Sequence, residues 1–416
     1  MPSSSQLFLQ PSSRTSEPRS APPIYRSWRG TRLRVALFSG NYDGVRDGAN
    51  QALNRLVGHL LEEADADVRI YAPRYRKPAF PAIGDLHPVA SVPLPIGGRS
   101  EYRIALGLPA AARRDLEAFR PNLIHVSAPD LLGRQAQLFA RARGIPLVAS
   151  FHTRFATYLE HYRLSFLRPA IERYLDRFYD ANDHILVPNL AIANELAARL
   201  GPRKAAIWSR GVDRERFHPR LRSPAFRQSM GYAADEIVPL FFGRLVLEKG
   251  LGMFVETIAA LRRQCVSVRP LIVGDGPARR WMAKRLPNAT FLGHLDDVRL
   301  GMAVASADIL INPSRTEAFG NVNLEAMASG VAVVSADVAS ASALIDHGRT
   351  GWLVADQTPA SYARTALHLA GNTPLRRAVG SAASAAADAF SWEKCLSGVV
   401  DVYRALVSRV AVEGAG

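Results

Sequence analysis

Short runs of aliphatic and β-branched residues recur along the whole chain, separated by helix-length stretches in which apolar positions return every three or four residues. This alternation predicts parallel strands joined by helical crossovers, an α/β fold. In the first half the strand-like runs are 34–39, 67–72, 123–126, 147–151, 184–187 and 205–208. Gly211, Pro219 and Pro224 then interrupt the pattern across 210–223, which marks a linker. A second series follows at 238–242, 271–273, 290–292, 309–311, 331–334 and 352–354. Two sheets in tandem imply a cleft between them. Because ligands of open parallel sheets bind beyond the carboxyl ends of the strands, the loops at those ends carry the interest. A last helix is expected over 391–410, opened by Ser391 as N-cap.

With 416 residues the chain is long enough for two such domains, each with its own core. Residues 1–30 are rich in Ser, Pro and Arg and read as a disordered tail rather than a secretion signal, so the first domain is expected over 31–208 and the second over 209–390. No stretch approaches the roughly 20 apolar residues of a membrane helix. Cys265 and Cys395 stand far apart without metal-ligand spacing, which favours a reducing cytoplasm over a disulfide or zinc framework. The formal net charge of +15 favours anionic partners. The basic residues are scattered rather than clustered, which argues against nucleic acid and leaves nucleotides or the surface of an anionic membrane.

Two segments carry chemistry. The first, Pro313-Ser-Arg-Thr-Glu-Ala-Phe-Gly-Asn-Val-Asn-Leu-Glu-Ala-Met-Ala-Ser-Gly330, follows a strand and opens a helix near Gly320 and Asn321. It places Glu317 in the loop and Glu325 in the first turns, while the amides of Phe319, Gly320 and Asn321 stand where an anion binds a helix end. Carboxylates accept hydrogen bonds from sugar hydroxyls, so a diphosphate flanked by a sugar and a ribose suits this arrangement. The second, Phe242-Gly-Arg-Leu-Val-Leu-Glu-Lys-Gly250, sets Arg244 and Lys249 where a leaving diphosphate needs positive charge. Each segment alone also suits a plainer role: a capping and a solvated glutamate in one, two surface cations in the other.

Together these segments resemble the family-4 retaining glycosyltransferases of the GT-B fold, in which two Rossmann-like domains face each other across a cleft. The span from Glu317 to Glu325 is similar to that family's EX7E signature. Gly211-Val-Asp213 with Phe217 and Pro219, Gly243-Arg244 with Lys249-Gly250, Val273-Gly274-Asp-Gly-Pro277 and Ala307-Asp308 recur in the family's order. The resemblance reaches from Arg34 to about Val410 and implies a last helix packed back on the first domain. It implies Arg244 and Lys249 on the donor diphosphate, Glu317 on the donor sugar and Glu325 on the ribose. The backbone at Gly293, His294 and Leu295 would meet the base, with Gly274 nearby, and the amides of Phe319, Gly320 and Asn321 the phosphate and sugar. In the first domain it implies Gly48, in the loop after the first strand, and His152, at a strand end near the reacting sugar. A His-Thr pair at a strand end also serves as a purely structural hydrogen-bonding unit. Tyr158 and Tyr162, four apart, line the acceptor site or simply pack.

The resemblance implies a hexosyltransferase whose co-substrate is a nucleotide-diphosphate sugar, with no permanently bound cofactor and no metal: cations and a helix dipole would do the work of a divalent ion. The stretches Trp208–Asp213 and Phe151-His-Thr are most similar to lipid-directed mannosyl- and sulfoquinovosyl-transferases. They suggest a lipid or lipid-linked glycan acceptor and a cytoplasmic enzyme in peripheral contact with the membrane. A polysaccharide-building enzyme with a soluble acceptor, a nucleotide-sugar epimerase, a phosphorylase-like enzyme and a non-enzymatic nucleotide-binding scaffold are the rival readings. One departure stands out: Asp337-Val-Ala-Ser-Ala-Ser342 replaces a Gly-Gly pair common among relatives.

Overall fold

A computed structural model describes residues 32–45, 47–94, 102–152, 166, 168–201, 204–264, 267–295 and 297–413. The expected tail 1–30, Tyr158, Tyr162 and Cys265 lie outside the described residues.

Two parallel sheets form, one from each half. The first contains β1 (Arg34–Phe38), β2 (Asp67–Pro73), β3 (Asp85–Val89), β6 (Leu123–Val126), β7 (Leu147–Ser150), β8 (His184–Val187) and β9 (Ala205–Ile207), in the order β3-β2-β1-β6-β7-β8-β9. A separate antiparallel ribbon joins β4 (Ser91–Pro93) to β5 (Arg103–Ala105). The second sheet contains β10 (Pro239–Phe242), β11 (Leu271–Val273), β12 (Thr290–Gly293), β13 (Ile309–Asn312), β14 (Ala332–Ala336) and β15 (Trp352–Val354), in the order β12-β11-β10-β13-β14-β15.

Period-two alternation explains why these runs are strands. In β1, Val35 and Leu37 enter one apolar cluster while Ala36 and Phe38 enter the cluster on the opposite face. In β10, Leu240 and Phe242 face one way and Phe241 the other. Each sheet is thus covered on both faces by helices. The strand β3 is absent from the sequence-based expectation because Pro88 interrupts it. Its place at the sheet edge accounts for the tolerance, since an edge strand can spare one ladder donor.

The last helix, Trp392–Glu413, follows the second half in sequence but belongs to the core of the first. Leu396, Val399, Val400, Tyr403 and Val407 fall on one helical stripe and pack with Val35, Leu53 and Trp208. The Tyr403 hydroxyl lies 2.5 Å from Nδ1 of His125 on β6, whose Nε2 lies 2.9 Å from Ser150 Oγ on β7. Burial holds His125 neutral, with its pKa lowered to about 3.

Between the halves, the linker is fixed to the second sheet by the buried carboxylate of Asp308, at the start of β13. It accepts from Arg222 at 2.7 Å, Arg227 at 2.9 Å and the Val238 amide at 2.9 Å. Burial alone would raise its pKa, but Arg222 and Arg227 hold it below the ordinary carboxylate range. Ala307-Asp308 is therefore a structural clamp. The divergent segment 337–342 forms a short helix, Ala339–Ser342, that packs against the helix Leu190–Leu200 of the first half. Among the described residues, no helix is long and apolar enough to cross a membrane.

Candidate active site

A cavity of about 630 Å³ lies between the carboxyl ends of the two sheets and takes its walls from both. Gly48, His152, Arg244, Lys249, Glu317, Phe319, Gly320 and Asn321 line it, so eight residues singled out in the sequence meet in one place. Gly274, Gly293, His294, Leu295 and Glu325 lie outside that lining.

The second-half wall is built from two loops. After β10 the chain turns through Arg244 to the short 3-10 turn Leu247–Lys249; after β13 it passes through Glu317 to the helix Asn321–Ala328. The Lys249 ammonium and the Glu317 carboxylate form a direct ion pair in the partly buried cavity wall. Gly320 enters the helix at φ +94°, a left-handed conformation suited to glycine, and so turns the first helical amides toward the cavity. Phe319 points its ring away into the core, 6.2 Å from Phe390, so only its backbone faces the cavity. Gly274, at φ +126°, has another duty. A Cβ there would stand 2.0 Å from the carbonyl oxygen of Gly243, so its bareness lets the loops after β10 and β11 stack.

Glu325 occupies the second turn of the helix Asn321–Ala328. Burial pushes its pKa up to about 7, against the pull of Arg216 and Arg55. Gly293 ends the edge strand β12 and His294 and Leu295 follow it; His294 is exposed, while Leu295 packs partly on the core.

The first-half wall depends on side chains that come from separate strand ends. Asp47 caps the helix Gly48–Glu62 by accepting from the Asn50 amide at 2.9 Å, and its other oxygen takes the Tyr102 hydroxyl at 3.1 Å. Tyr102 in turn receives Arg244 Nη1 at 2.9 Å across the cleft. Burial raises the pKa of Asp47, a tendency opposed by the Asn50 amide, Tyr102 and Arg244. Gly48 lets the two walls approach closely: a Cβ there would stand 2.1 Å from Asn321 Nδ2 and would push that side chain aside. A second contact crosses the cleft where Asn189 Nδ2 donates to the Ala318 carbonyl at 2.9 Å.

His152 follows β7 with its ring edge-on to Trp208 at 5.2 Å. Its Nδ1 lies 2.8 Å from Arg210 Nη2, and a guanidinium only donates. The imidazole proton therefore resides on Nε2, which is buried and has no protein partner. Burial first, and Arg210 second, hold His152 well below its ordinary pKa, so it is neutral. With its proton on Nε2, the neutral ring is a hydrogen-bond donor rather than a general base.

Asp47, Tyr102, Asn189 and Arg210 were not singled out from the sequence. Asp47 carried a faint signal, an Asp three residues before an Asn at a helix start. Arg210 lies within the Trp208–Asp213 stretch without being marked as a site residue, and Tyr102 carried no signal, because only the fold brings it to the cleft.

The matches to known proteins follow the same division of the chain. The description "Glycosyltransferase Family 4" matches residues 46–216 and "Glycosyl transferases group 1" matches residues 236–372. A GDP-mannose-dependent alpha-mannosyltransferase of Mycolicibacterium smegmatis is 30% identical over 390 residues, covering 92% of this chain and 100% of that protein. A sulfoquinovosyl transferase of Arabidopsis thaliana is 31% identical over 303 residues, covering 70% of this chain and 58% of that protein. Among solved structures, a sucrose-phosphate synthase of Thermosynechococcus elongatus superposes with a TM-score of 0.74 at 21% identity, over 91% of this chain and 100% of that one. Anabaena HepE in complex with UDP and glucose gives 0.67 at 19%, over 89% and 99%. With its two Rossmann-like sheets closed over one cleft, the chain belongs to the family-4, group 1 glycosyltransferases and has their GT-B fold.

Proposed function

We propose that this enzyme moves a hexose, with retention of anomeric configuration, from a nucleotide-diphosphate sugar to a lipid or lipid-linked glycan. The observation that carries the reading is the single cavity in which Arg244, Lys249 and Glu317 face Gly48 and His152. The second half binds the donor and the first half the acceptor. Arg244, Lys249 and the amino end of the helix Asn321–Ala328 take the diphosphate, with the amides of Phe319, Gly320 and Asn321. Glu317 accepts from the sugar hydroxyls, and Lys249, now its partner, passes to the phosphate as donor binds. Glu325 receives the ribose hydroxyls, while the nucleoside extends over Gly274 toward the backbone at Gly293, His294 and Leu295.

In the chemical step the bond from the anomeric carbon to the phosphate oxygen breaks and the acceptor oxygen bonds to the same face through an oxocarbenium-like state. The acceptor proton passes to the departing phosphate. Charge growing on that phosphate is met by Arg244 and Lys249, fixed cations in a partly buried wall. His152 contributes its Nε2–H as a donor to the sugar.

Support for a lipid acceptor comes from the β4–β5 ribbon. Val92 stands opposite Ile104, and Leu106 follows on the same face. All three are exposed, at 44%, 36% and 55%, and the face continues into the cavity through Leu94, Tyr102 and Ile104. Ile171, Leu175 and Pro129 extend this apolar lining. An acyl chain would be covered along this path while the net positive charge favours the anionic cytoplasmic face of a membrane, about 1 kcal/mol per well-placed cation.

A panel of nucleotide-sugars offered with diacylglycerol, phosphatidylinositol or a water-soluble oligosaccharide tests the reading. The expected outcome is a chloroform-extractable glycolipid whose anomeric proton coupling by NMR matches that of the donor. Inverted product, or transfer only to the soluble glycan, would overturn the retaining or the lipid part respectively.

A further inference from the structure

Arg210 is unusual among the cations of this molecule. It follows β9, is only 5% exposed, and lines the cavity beside His152. Its guanidinium lies over the Trp208 ring at 4.9 Å and donates to the carbonyls of Trp208 at 3.0 Å and Ser209 at 3.1 Å, as well as to His152. Among the described residues it has no carboxylate within ion-pair distance. Asp47, the carboxylate it senses across the cavity, is already engaged by Asn50 and Tyr102. Arg227, the other buried cation among the described residues, is neutralised by Asp308.

The neighbouring His152 adds to the imbalance. Its Nε2–H is buried without an acceptor, and the guanidinium on Nδ1 strengthens it as a donor. The first-half wall thus has a corner made of donors and one uncompensated positive charge. A buried charge without a counter-charge is costly, and a substrate that brings the anion recovers that cost on binding. The cations proposed to hold the donor diphosphate, Arg244 and Lys249, stand on the opposite wall, so the charge of Arg210 is not taken up by the diphosphate.

Resting on the glycosyltransferase reading above, we infer that Arg210 and His152 recognise a second anionic group, a carboxylate, sulfonate or phosphate ester. It is carried either by the transferred sugar or by the acceptor headgroup. Arg210 is then a specificity-determining residue for acidic over neutral substrates.

The test uses the purified full-length protein and compares kcat/KM within matched pairs. The donor arm sets UDP-glucuronate against UDP-glucose, which differ only at C6; the acceptor arm sets phosphatidylinositol and phosphatidylglycerol against diacylglycerol. One arm should show a preference of about tenfold or more for the anionic member, the size expected of a charge-assisted contact. In Arg210→Gln that ratio should fall to near one whatever happens to the absolute rate, and Arg210→Lys, which keeps the charge, should retain most of it. A ratio near one for the wild type in both arms, or a ratio unchanged in Arg210→Gln, overturns the inference while leaving transfer itself intact. If no nucleotide-sugar is consumed in any arm and none raises the melting temperature, the glycosyltransferase reading falls first and this inference with it.

Discussion

The two walls of the cleft handle charge in opposite ways. On the second-half wall, Lys249 is matched by Glu317, so the resting site is neutralised from within. On the first-half wall, Arg210 is buried and, among the described residues, has no carboxylate within ion-pair distance, while His152 holds a buried Nε2–H with no acceptor among them. On the proposed function, a ligand of the second wall separates a pair as it binds, whereas a ligand of the first wall completes one. That difference teaches how each wall can discriminate: a pair that exchanges partners reads hydroxyl positions, whereas an unmet charge selects for a counter-charge.

The sharpest way to break this comparison is to remove one member of the matched pair. Lys249→Ala and Glu317→Ala should each lower turnover by about 10²- to 10³-fold, since each deletes a contact to the reacting part of the donor. Melting temperatures should remain close to wild type because both groups stand on the cavity wall rather than in a core. Near-normal transfer by Lys249→Ala would remove the diphosphate assignment.

A change of roughly tenfold in kcat is expected for Asn189→Asp. Its Oδ1 already caps the helix Leu190–Leu200 through the Ile192 amide at 3.0 Å, a role aspartate keeps, but the donor to Ala318 becomes an acceptor facing a carbonyl. Because Ala318 adjoins Glu317, losing this contact should misplace the matched pair and open the cleft. Small-angle scattering of the variant would check for that opening; unchanged kcat and radius of gyration would show that the two walls are set independently.

Acid should separate the halves more gently. His125 in the first half is held neutral in the fold with a pKa lowered to about 3, so between about 6.5 and 3 the unfolded chain binds a proton that the folded chain refuses. Its stabilising effect is full above about pH 6.5 and declines as pH falls, by about 2 kcal/mol at pH 5. Asp308 in the second half, held below the ordinary carboxylate range, gives way only at lower pH. Hydrogen exchange at pH 7.5 and 5 should show protection lost first around β6 and β7, and a His125→Gln variant should lose less stability over that interval. Equal loss in both halves would contradict the contrast.

The smallest effect is expected from chelation. If fixed cations meet the leaving phosphate, EDTA leaves the rate unchanged, and recovery by magnesium or manganese after a loss would refute that role for Arg244 and Lys249.

The second wall was legible in the sequence for a physical reason. Its parts are backbone turns and neighbouring side chains, so Phe242–Gly250 and Pro313–Gly330 hold almost the whole wall in two continuous segments. The first wall is assembled from the ends of β7 and β9, the ribbon and a helix cap, and no local pattern announces that Tyr102, Asp47 and Arg210 will meet. The alternation of strand and helix gave most of both sheets, yet β3 was hidden by Pro88, whose cost depends on a sheet position that sequence does not state. Ala307-Asp308 shows the reverse case: its motif was visible, but only the contacts to Arg222 and Arg227 reveal that it anchors the linker.

The returning helix Trp392–Glu413 also sets an order of events. A ribosome releases every strand of the first sheet before Leu396, Val399 and Tyr403 exist, so one face of that sheet, covered only in part by the helix Gly48–Glu62, waits for its second helix while the second half is made. The first-half core is therefore completed last although its strands are the first to be translated. A chain interrupted anywhere before Tyr403 would leave the second-half wall beside a first half that lacks part of its core.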